Sequence, residues 1–383
     1  MTLNTQPDLY RPGLEGVIAA ETRLSRVRGD IGELLLAGYP LEDVAGRLSF
    51  EAMLFLLWED RLPTAVEEDL VRQALSKGRT LPAPTVALLR DIAPQNLPVM
   101  DALRMAAGTI DLDLPPSQRE DNRLLAYLIM GRLPVIVATY WRFLMGQEPL
   151  ASDPTLSHAA NYLYLLTGNQ PTPAQVRGLE TYLNTVIDHG LNASTFTARV
   201  IVSTRSDLVS AVVGAIGALK GPLHGGAPGP ALDMVFEIDT AVNAEPYLRA
   251  KLEAGERLMG FGHRVYKVRD PRADVLGTAA AKLFAASDDQ ADLALYDLAL
   301  TVEKTALALL EEYKPGRQLQ TNVEFYTALL LHGLGLDSNL FSPTFAISRA
   351  GGWLAHCFEQ LAAGRLLRPK SRFVGEVRRL DAR

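Results

Sequence analysis

The chain has 383 residues, 48% of them hydrophobic, enough apolar material for one large domain or two unequal ones around a buried core. A charged fraction of 21% and a formal net charge of -6 exclude a nucleic-acid binder that works through a globally basic surface, so an anionic ligand must be held by local arginine clusters. Cys357 is the only cysteine, which excludes an intrachain disulfide and suits a reducing cytoplasm.

Residues 1–12 are polar and lack the basic-then-apolar pattern of a signal or transit peptide. Residues 16–25 carry the pattern of a small hairpin. Thr172-Pro173-Ala174-Gln175 then supplies an N-cap, a proline at the first helical position and a glutamine three residues after the cap. Val176, Leu179, Leu183, Val186 and Ile187 continue it as one apolar stripe that stops at Asp188-His189-Gly190. A second helix is predicted over 207–220, closed by Gly221-Pro222 with His224 directly after; apolar runs such as 208–219 are too short to cross a bilayer. Residues 257–260 are expected to extend briefly before a Gly-Phe-Gly turn, and 286–292 to form a surface loop. The last helix is expected to start on Ser342-Pro343 and to end near Gly364; its apolar character extends round much of its surface, the mark of a helix inside a large protein, where Cys357 is an inert thiol. The whole reads as all-α with a few short β segments, with no parallel sheet, fixed-period repeat or long linker.

Three of the six histidines, His189, His224 and His263, stand beside glycines, where the backbone can turn tightly and a ligand can come close; each is expected where a helix gives way to a turn. His158, His332 and His356 fall in apolar helical stretches and read as packing or surface residues. No HExxH spacing and no thiolate pair points to a metal. The third glycine of a dinucleotide loop, the Gly-Lys-Ser/Thr ending of a P-loop and the GxSxG elbow are all missing. Arg257, Arg264, Lys267, Arg269 and Arg272 crowd the His263 turn, and Arg365, Arg368, Lys370 and Arg372 crowd the C-terminal segment. Solvated surface charge is one explanation of such runs; beside glycine-flanked histidines they also suit carboxylates and phosphates, which arginine grips with paired hydrogen bonds.

The segments DHGLNASTF (188–196), GPLHGGAPG (221–229), MGFGHRVYKVRDPRADVL (259–276), TNVEFYTALLLHGLG (321–335), FSPTFAISRAGGWLAH (341–356) and LLRPKS (366–371) resemble, in order, the signature blocks of the bacterial and archaeal type of the citrate synthase family. Residues 13–45 resemble its N-terminal block, so the similarity covers nearly the whole chain. It implies a large helical domain from 1–225 and 336–383, and a smaller one from 226–335 completing a cleft. It also implies a homodimer, acetyl-CoA and oxaloacetate as substrates, and no cofactor beyond the coenzyme A thioester. Neither nucleic acid nor membrane is an expected partner.

Carried over by position, the resemblance makes His224 the donor to the thioester oxygen as the acetyl group enolises. His263 would polarise the oxaloacetate ketone and later protonate its oxygen. His189, Arg272 and Arg349 would hold oxaloacetate, with Arg368 reaching in from the neighbouring subunit. Leu258, Met259, Gly260, Phe261 and Gly262 would recognise the adenine of CoA, with Arg264 and Lys267 on its phosphates. The base position departs from the family's usual Asn-Val-Asp: here it is Asn322-Val323-Glu324. The extra methylene moves the basic oxygen by about 1 Å, and a misplacement of that order can cost roughly a hundredfold in rate. Glu324 is still the expected base. Two alternatives share these motifs: 2-methylcitrate synthase, acting on propionyl-CoA, and a weakly catalytic sensor of CoA or a dicarboxylate.

Overall fold

Side-chain caps and apolar stripes divide the chain into many helices and one small antiparallel sheet. The computed structural model describes residues 10–224, 229–263 and 265–378. The sheet consists of β1 (Ser25–Arg28), β2 (Glu33–Leu36) and β3 (Tyr39–Pro40), with Ser25 opposite Leu36 and Arg28 opposite Glu33. The hairpin therefore begins where residues 16–25 were expected to end. Val17 and Ile18 stay exposed, whereas Leu24, Leu34 and Leu36 are buried, so only the later register gives the sheet an inner face.

Nine helices matter for the site. They are α1 (Phe50–Glu59), α2 (Asn122–Leu144), α3 (Pro173–Val186), α4 (Ala193–Ser203), α5 (Leu208–Leu219), α6 (Pro271–Ala285), α7 (Gln290–Tyr313), α8 (Val323–Gly333) and α9 (Phe341–Ala363). Thr172 and Gln175 close the capping box expected for α3, and α5 matches its predicted span with Asp207 as cap. Asp270 and Asn322 cap α6 and α8 through their own carbonyl-type oxygens, which satisfies orphan amides at the helix starts.

Three expectations are corrected. Helix α9 starts at Phe341, one residue before Ser342, because a short turn at Ser338–Leu340, capped by the Asp337 side chain, leads directly into it. Residues 257–260 form no strand; Phe261 instead makes a single antiparallel bridge to Thr321. The surface loop after α6 is shorter than expected, since α7 begins at Gln290. Moreover, the longest strongly apolar helix is α2, not α5: it is long enough to cross a membrane, but 83% of its most apolar window is buried inside the protein, where α2 serves as a core helix.

Helix α9 runs through the interior as its sequence suggested, with Trp353, Arg349, His356 and Cys357 all buried. Burial pushes the Cys357 thiol up to about 12, so it is not a nucleophile at neutral pH. Glycines let α9 pass close to its neighbours: a Cβ at Gly352 would lie 2.2 Å from the Ile187 carbonyl oxygen, and one at Gly351 would lie 2.6 Å from Leu54. Ile187 immediately precedes Asp188 and His189, so this contact sets where the end of α3 delivers them. Gly352→Ala should therefore lower stability by about 1–3 kcal/mol, as overpacking does. Urea denaturation would read this as a lower midpoint with an unchanged slope.

Candidate active site

Each glycine-flanked histidine is held by a different device. His189 follows α3, and the turn that carries it is anchored on both sides. Ser25 in β1 donates its hydroxyl to Asp188 Oδ2 (2.5 Å) and accepts the Gly190 amide (2.8 Å). His356, fully buried, turns Nδ1 toward Arg199 Nη1 at 3.0 Å, and a guanidinium can only donate. The imidazole proton therefore sits on Nε2 and is given to Asp188 Oδ1 at 3.1 Å. Burial alone would raise the Asp188 carboxyl, yet the contacts from His356 and Ser25 hold it below its ordinary value. His356, read from sequence as a packing residue, is thus a support for the His189 turn. His158 is a core histidine, stacked on Phe50 at 4.9 Å, and His332 packs edge-on against Phe236.

His224 lies just past α5 as expected. Its Nε2 receives the backbone N–H of Ser194 (3.1 Å), the second residue of α4, and touches the Ser194 hydroxyl (2.7 Å). A backbone amide has no other polarity to offer, so Nε2 is the acceptor and the proton is on Nδ1. The Ser194 hydroxyl is itself fixed by Trp353 Nε1 of α9, which donates to it at 3.0 Å. Burial, then Arg349, lowers the His224 pKa, which keeps the ring neutral.

His263 does not follow a helix; it sits in the irregular segment between Glu253 and Pro271. Two backbone amides, those of Val265 (3.0 Å) and Tyr266 (3.1 Å), donate to its Nδ1. The ring proton is accordingly on Nε2, and Arg272 Nη2 lies 3.2 Å from that same nitrogen. Two donors thus point to one place, an arrangement that an oxygen acceptor would relieve. Burial, then Arg272, pulls the His263 pKa down to about 4. Arg272, in the first turn of α6, is gripped by Asp270 through Nε (3.0 Å) and Nη2 (2.8 Å). Tyr266, unmarked in the sequence, links the histidines: its hydroxyl lies 3.0 Å from His189 Nε2 and its ring centroid 5.0 Å from that of His263.

Glu324 is the second residue of α8, its amide held by Asn322 Oδ1 at 2.9 Å. Burial raises its pKa and Arg272 opposes that shift. His224, His263, Arg272 and Glu324 meet in a cavity of about 140 Å³, where Tyr182, Thr327, Ser342 and Phe345 add lining that sequence reasoning did not identify. Arg349 is buried in α9, gives Nε to the Val186 carbonyl (2.6 Å), stacks on Phe345, and forms no ion pair among the described residues. Burial lowers its pKa to about 10, against the opposing pull of the buried Asp188 carboxylate, so it remains a cation with no carboxylate at ion-pair distance among the described residues. Arg368 is not brought to this cavity: it lies on the exposed, irregular segment after α9.

A larger cleft of about 500 Å³ opens beside the first and is lined by residues 257–263, with Lys314, Arg317, Asn322 and Glu324. Leu258, Met259, Gly260, Phe261 and Gly262 all fall on it. Gly260 has φ +86° and a Cβ there would sit 2.9 Å from Phe325, so the turn needs glycine at this point. Lys267 lines an adjoining hollow together with Arg317. Lys314 and Arg317 were missed because they lie some fifty residues from the glycine turn in sequence. Arg264 and residues 225–228 lie outside the described residues. No cluster of three or more metal-ligand side chains occurs among the described residues.

A neutral imidazole N–H sharing a cavity with a half-buried carboxylate, next to a second imidazole N–H paired with arginine, is the equipment of an enzyme that makes a carbanion equivalent and delivers it to a carbonyl compound. The sequence model of the family described as "Citrate synthase, C-terminal domain" matches residues 13–370. The citrate synthase of Haloferax volcanii is 40% identical over 371 residues, covering 95% of each chain. A 2-methylcitrate synthase of Mycobacterium tuberculosis is 37% identical, covering 99% of this chain and 94% of its own length. Among solved structures, the ternary complex of Thermoplasma acidophilum citrate synthase with carboxymethyl coenzyme A and oxaloacetate superimposes with a TM-score of 0.85 at 29% identity, covering 97% of both chains. The chain belongs to the citrate synthase family and is an acyl-transferring, condensing enzyme.

Because His263 is lowered from 6.5 to about 4, the unfolded chain takes up its proton well before the folded one. The stability this ring confers is complete above pH 6.5 and is lost as pH falls toward 4. The difference in melting temperature between the wild type and His263→Asn should consequently shrink between pH 7 and pH 5 in calorimetry. A difference independent of pH would place the ring's folded pKa near its ordinary value.

Proposed function

We propose that this enzyme condenses acetyl-CoA with oxaloacetate and hydrolyses the resulting thioester to citrate and CoA. The observation that carries the reading is the convergence of His263 Nε2–H and Arg272 on one point in a cavity also lined by His224 and Glu324. Glu324 takes a proton from the thioester methyl, and His224 donates Nδ1–H to the thioester oxygen as the enol forms. The raised pKa of Glu324 makes its carboxylate a stronger base than an exposed one. His263 donates to the ketone oxygen of oxaloacetate as negative charge grows there. Arg272 and the unpaired Arg349 take the two carboxylates, and His189 steadies the same substrate. The 258–262 turn takes the CoA adenine, with Lys267 and Arg264 assigned to its phosphates, and Lys314 and Arg317 add positive charge to the same cleft.

The domain division at 1–225, 226–335 and 336–383 belongs to this reading. Helix α6, which carries Arg272, packs on both α3 and α8, one from each side of that division. Closing the cleft there would exclude water before the thioester is exposed. Arg368, remote from its own cavity, is assigned to the site of a second copy in a homodimer. The similarity to a 2-methylcitrate synthase supports a second reading, in which propionyl-CoA is the donor.

Thiol release from acetyl-CoA and propionyl-CoA, each with and without oxaloacetate, tests both readings. Release should require oxaloacetate, favour acetyl-CoA, and fall by about a hundredfold or more in Glu324→Gln. A preference for propionyl-CoA would establish the second reading, and no release with either would sink both. The assignment of Arg368 is checked by mixing two inactive variants, Glu324→Gln and Arg368→Ala, under conditions that exchange subunits. A shared site restores activity at one of the two sites of each mixed dimer; an Arg368 acting within its own subunit restores none.

A further inference from the structure

We propose that Glu303, on α7 and outside the reacting cavity, is a positioning residue that holds the segment bearing His263 and Arg272 in register with the segment bearing Glu324. Its side chain is only 12% exposed, although most acidic residues of α7 face solvent. Oε1 accepts from the Thr321 hydroxyl (2.6 Å) and from Arg269 Nη1 (3.1 Å), while Oε2 accepts from the Tyr326 hydroxyl (2.6 Å). The carboxylate is thus filled from three directions, one of them charged.

Those three donors are not scattered. Thr321 bridges to Phe261 and immediately precedes Asn322, whose side chain holds the Glu324 amide and donates to the Gly262 carbonyl at 2.8 Å. Around them, Gly262 N–H donates to Gln320 (2.7 Å) and Asn322 N–H to Gly260 (2.9 Å), so residues 260–262 and 320–322 form one short ladder with His263 and Glu324 at its ends. Tyr326, two residues beyond Glu324, packs its ring against α6 at Gly277, where a Cβ would meet it at 3.2 Å. Arg269 immediately precedes Asp270, the carboxylate that grips Arg272. One carboxylate therefore ties the base-bearing helix start to the segment that carries the electrophile's donors. A displacement of about 1 Å between those groups is enough to cost on the order of a hundredfold in rate.

This inference rests on the proposed condensation, and the wild type separates the two: absence of thiol release counts against the reaction, not against Glu303. Glu303→Gln keeps the shape but cannot accept from all three donors. Its kcat should fall roughly ten- to a hundredfold, with a rise in KM for oxaloacetate. Independently of activity, hydrogen exchange at the Gly262 and Asn322 amides should accelerate by about tenfold or more relative to the wild type. A merely stabilising residue would lower the melting temperature and leave kcat of the folded protein and these two amides unchanged, and that result would overturn the proposal. Tyr326→Phe, which removes one hydroxyl and keeps the charge pair, guards against a misfolded variant. It should lower kcat less than Glu303→Gln and add little to it in the double variant, whereas full additivity would show that the two act separately.

Discussion

A guanidinium removed from water is costly to leave without an ion pair, and the site is organised around two of the buried arginines, of which Arg272 has such a pair and Arg349 has none among the described residues. Arg272 is neutralised on the spot by Asp270, which leaves its position fixed by the cap of α6. Arg349 is held by stacking on Phe345 and by a backbone carbonyl; the buried Asp188 carboxylate acts on it only from beyond ion-pair distance. A buried charge only partly offset in this way is costly, and an anionic ligand would relieve it. The nearby histidines follow suit: with positive charge on both sides and little water, His189, His224 and His263 are all driven toward the neutral ring. A neutral ring has only one N–H to give, so which nitrogen bears it becomes the decisive question.

That question is answered by the backbone. The amides of Val265 and Tyr266 occupy Nδ1 of His263, and the amide of Ser194 occupies Nε2 of His224. Backbone amides cannot reverse polarity, so these tautomers are as permanent as the turn and helix start that supply them. The helical scaffold thus acts on the chemistry through its ends. The start of α4 orients His224, the start of α6 places Arg272, and the start of α8 presents Glu324. Bundles of long helices with capped ends can hold such groups more firmly than free loops could.

Much of this was legible in the sequence, and the boundary is physically sensible. Local signals were reliable where they act locally: the capping box at Thr172, the stop after Lys220 and the all-round apolarity of the last helix each match the structure. The site residues clustered beside glycines, and His224, His263, Arg272 and Glu324 do meet in one cavity. Residues that act by reaching across the fold left no local mark. Tyr266, Asp270, Lys314 and Arg317 are ordinary residues until the chain brings them to the cleft, and His356 looks like packing until Asp188 is placed against it. The hairpin lies later in the chain than expected because it is Leu24, Leu34 and Leu36 that the fold buries, while Val17 and Ile18 stay exposed.

The proposed base position departs from the family's usual aspartate in a way the local structure makes tractable. Glutamate in place of aspartate lengthens the arm, and in a rigid site that would misplace the carboxylate. Here the arm springs from the second residue of a helix, where Asn322 fixes the amide and the helix start favours a negative charge, while burial and Arg272 pull its pKa in opposite directions. What must be conserved for proton transfer is the position of an oxygen, not the length of the chain that carries it. The ladder between residues 260–262 and 320–322 sets the distance from that helix start to His263, so a longer side chain demands a correspondingly exact ladder rather than a different mechanism. If Glu324 is the base, the precision that a short aspartate would carry in its own rotamer falls to the backbone beneath it.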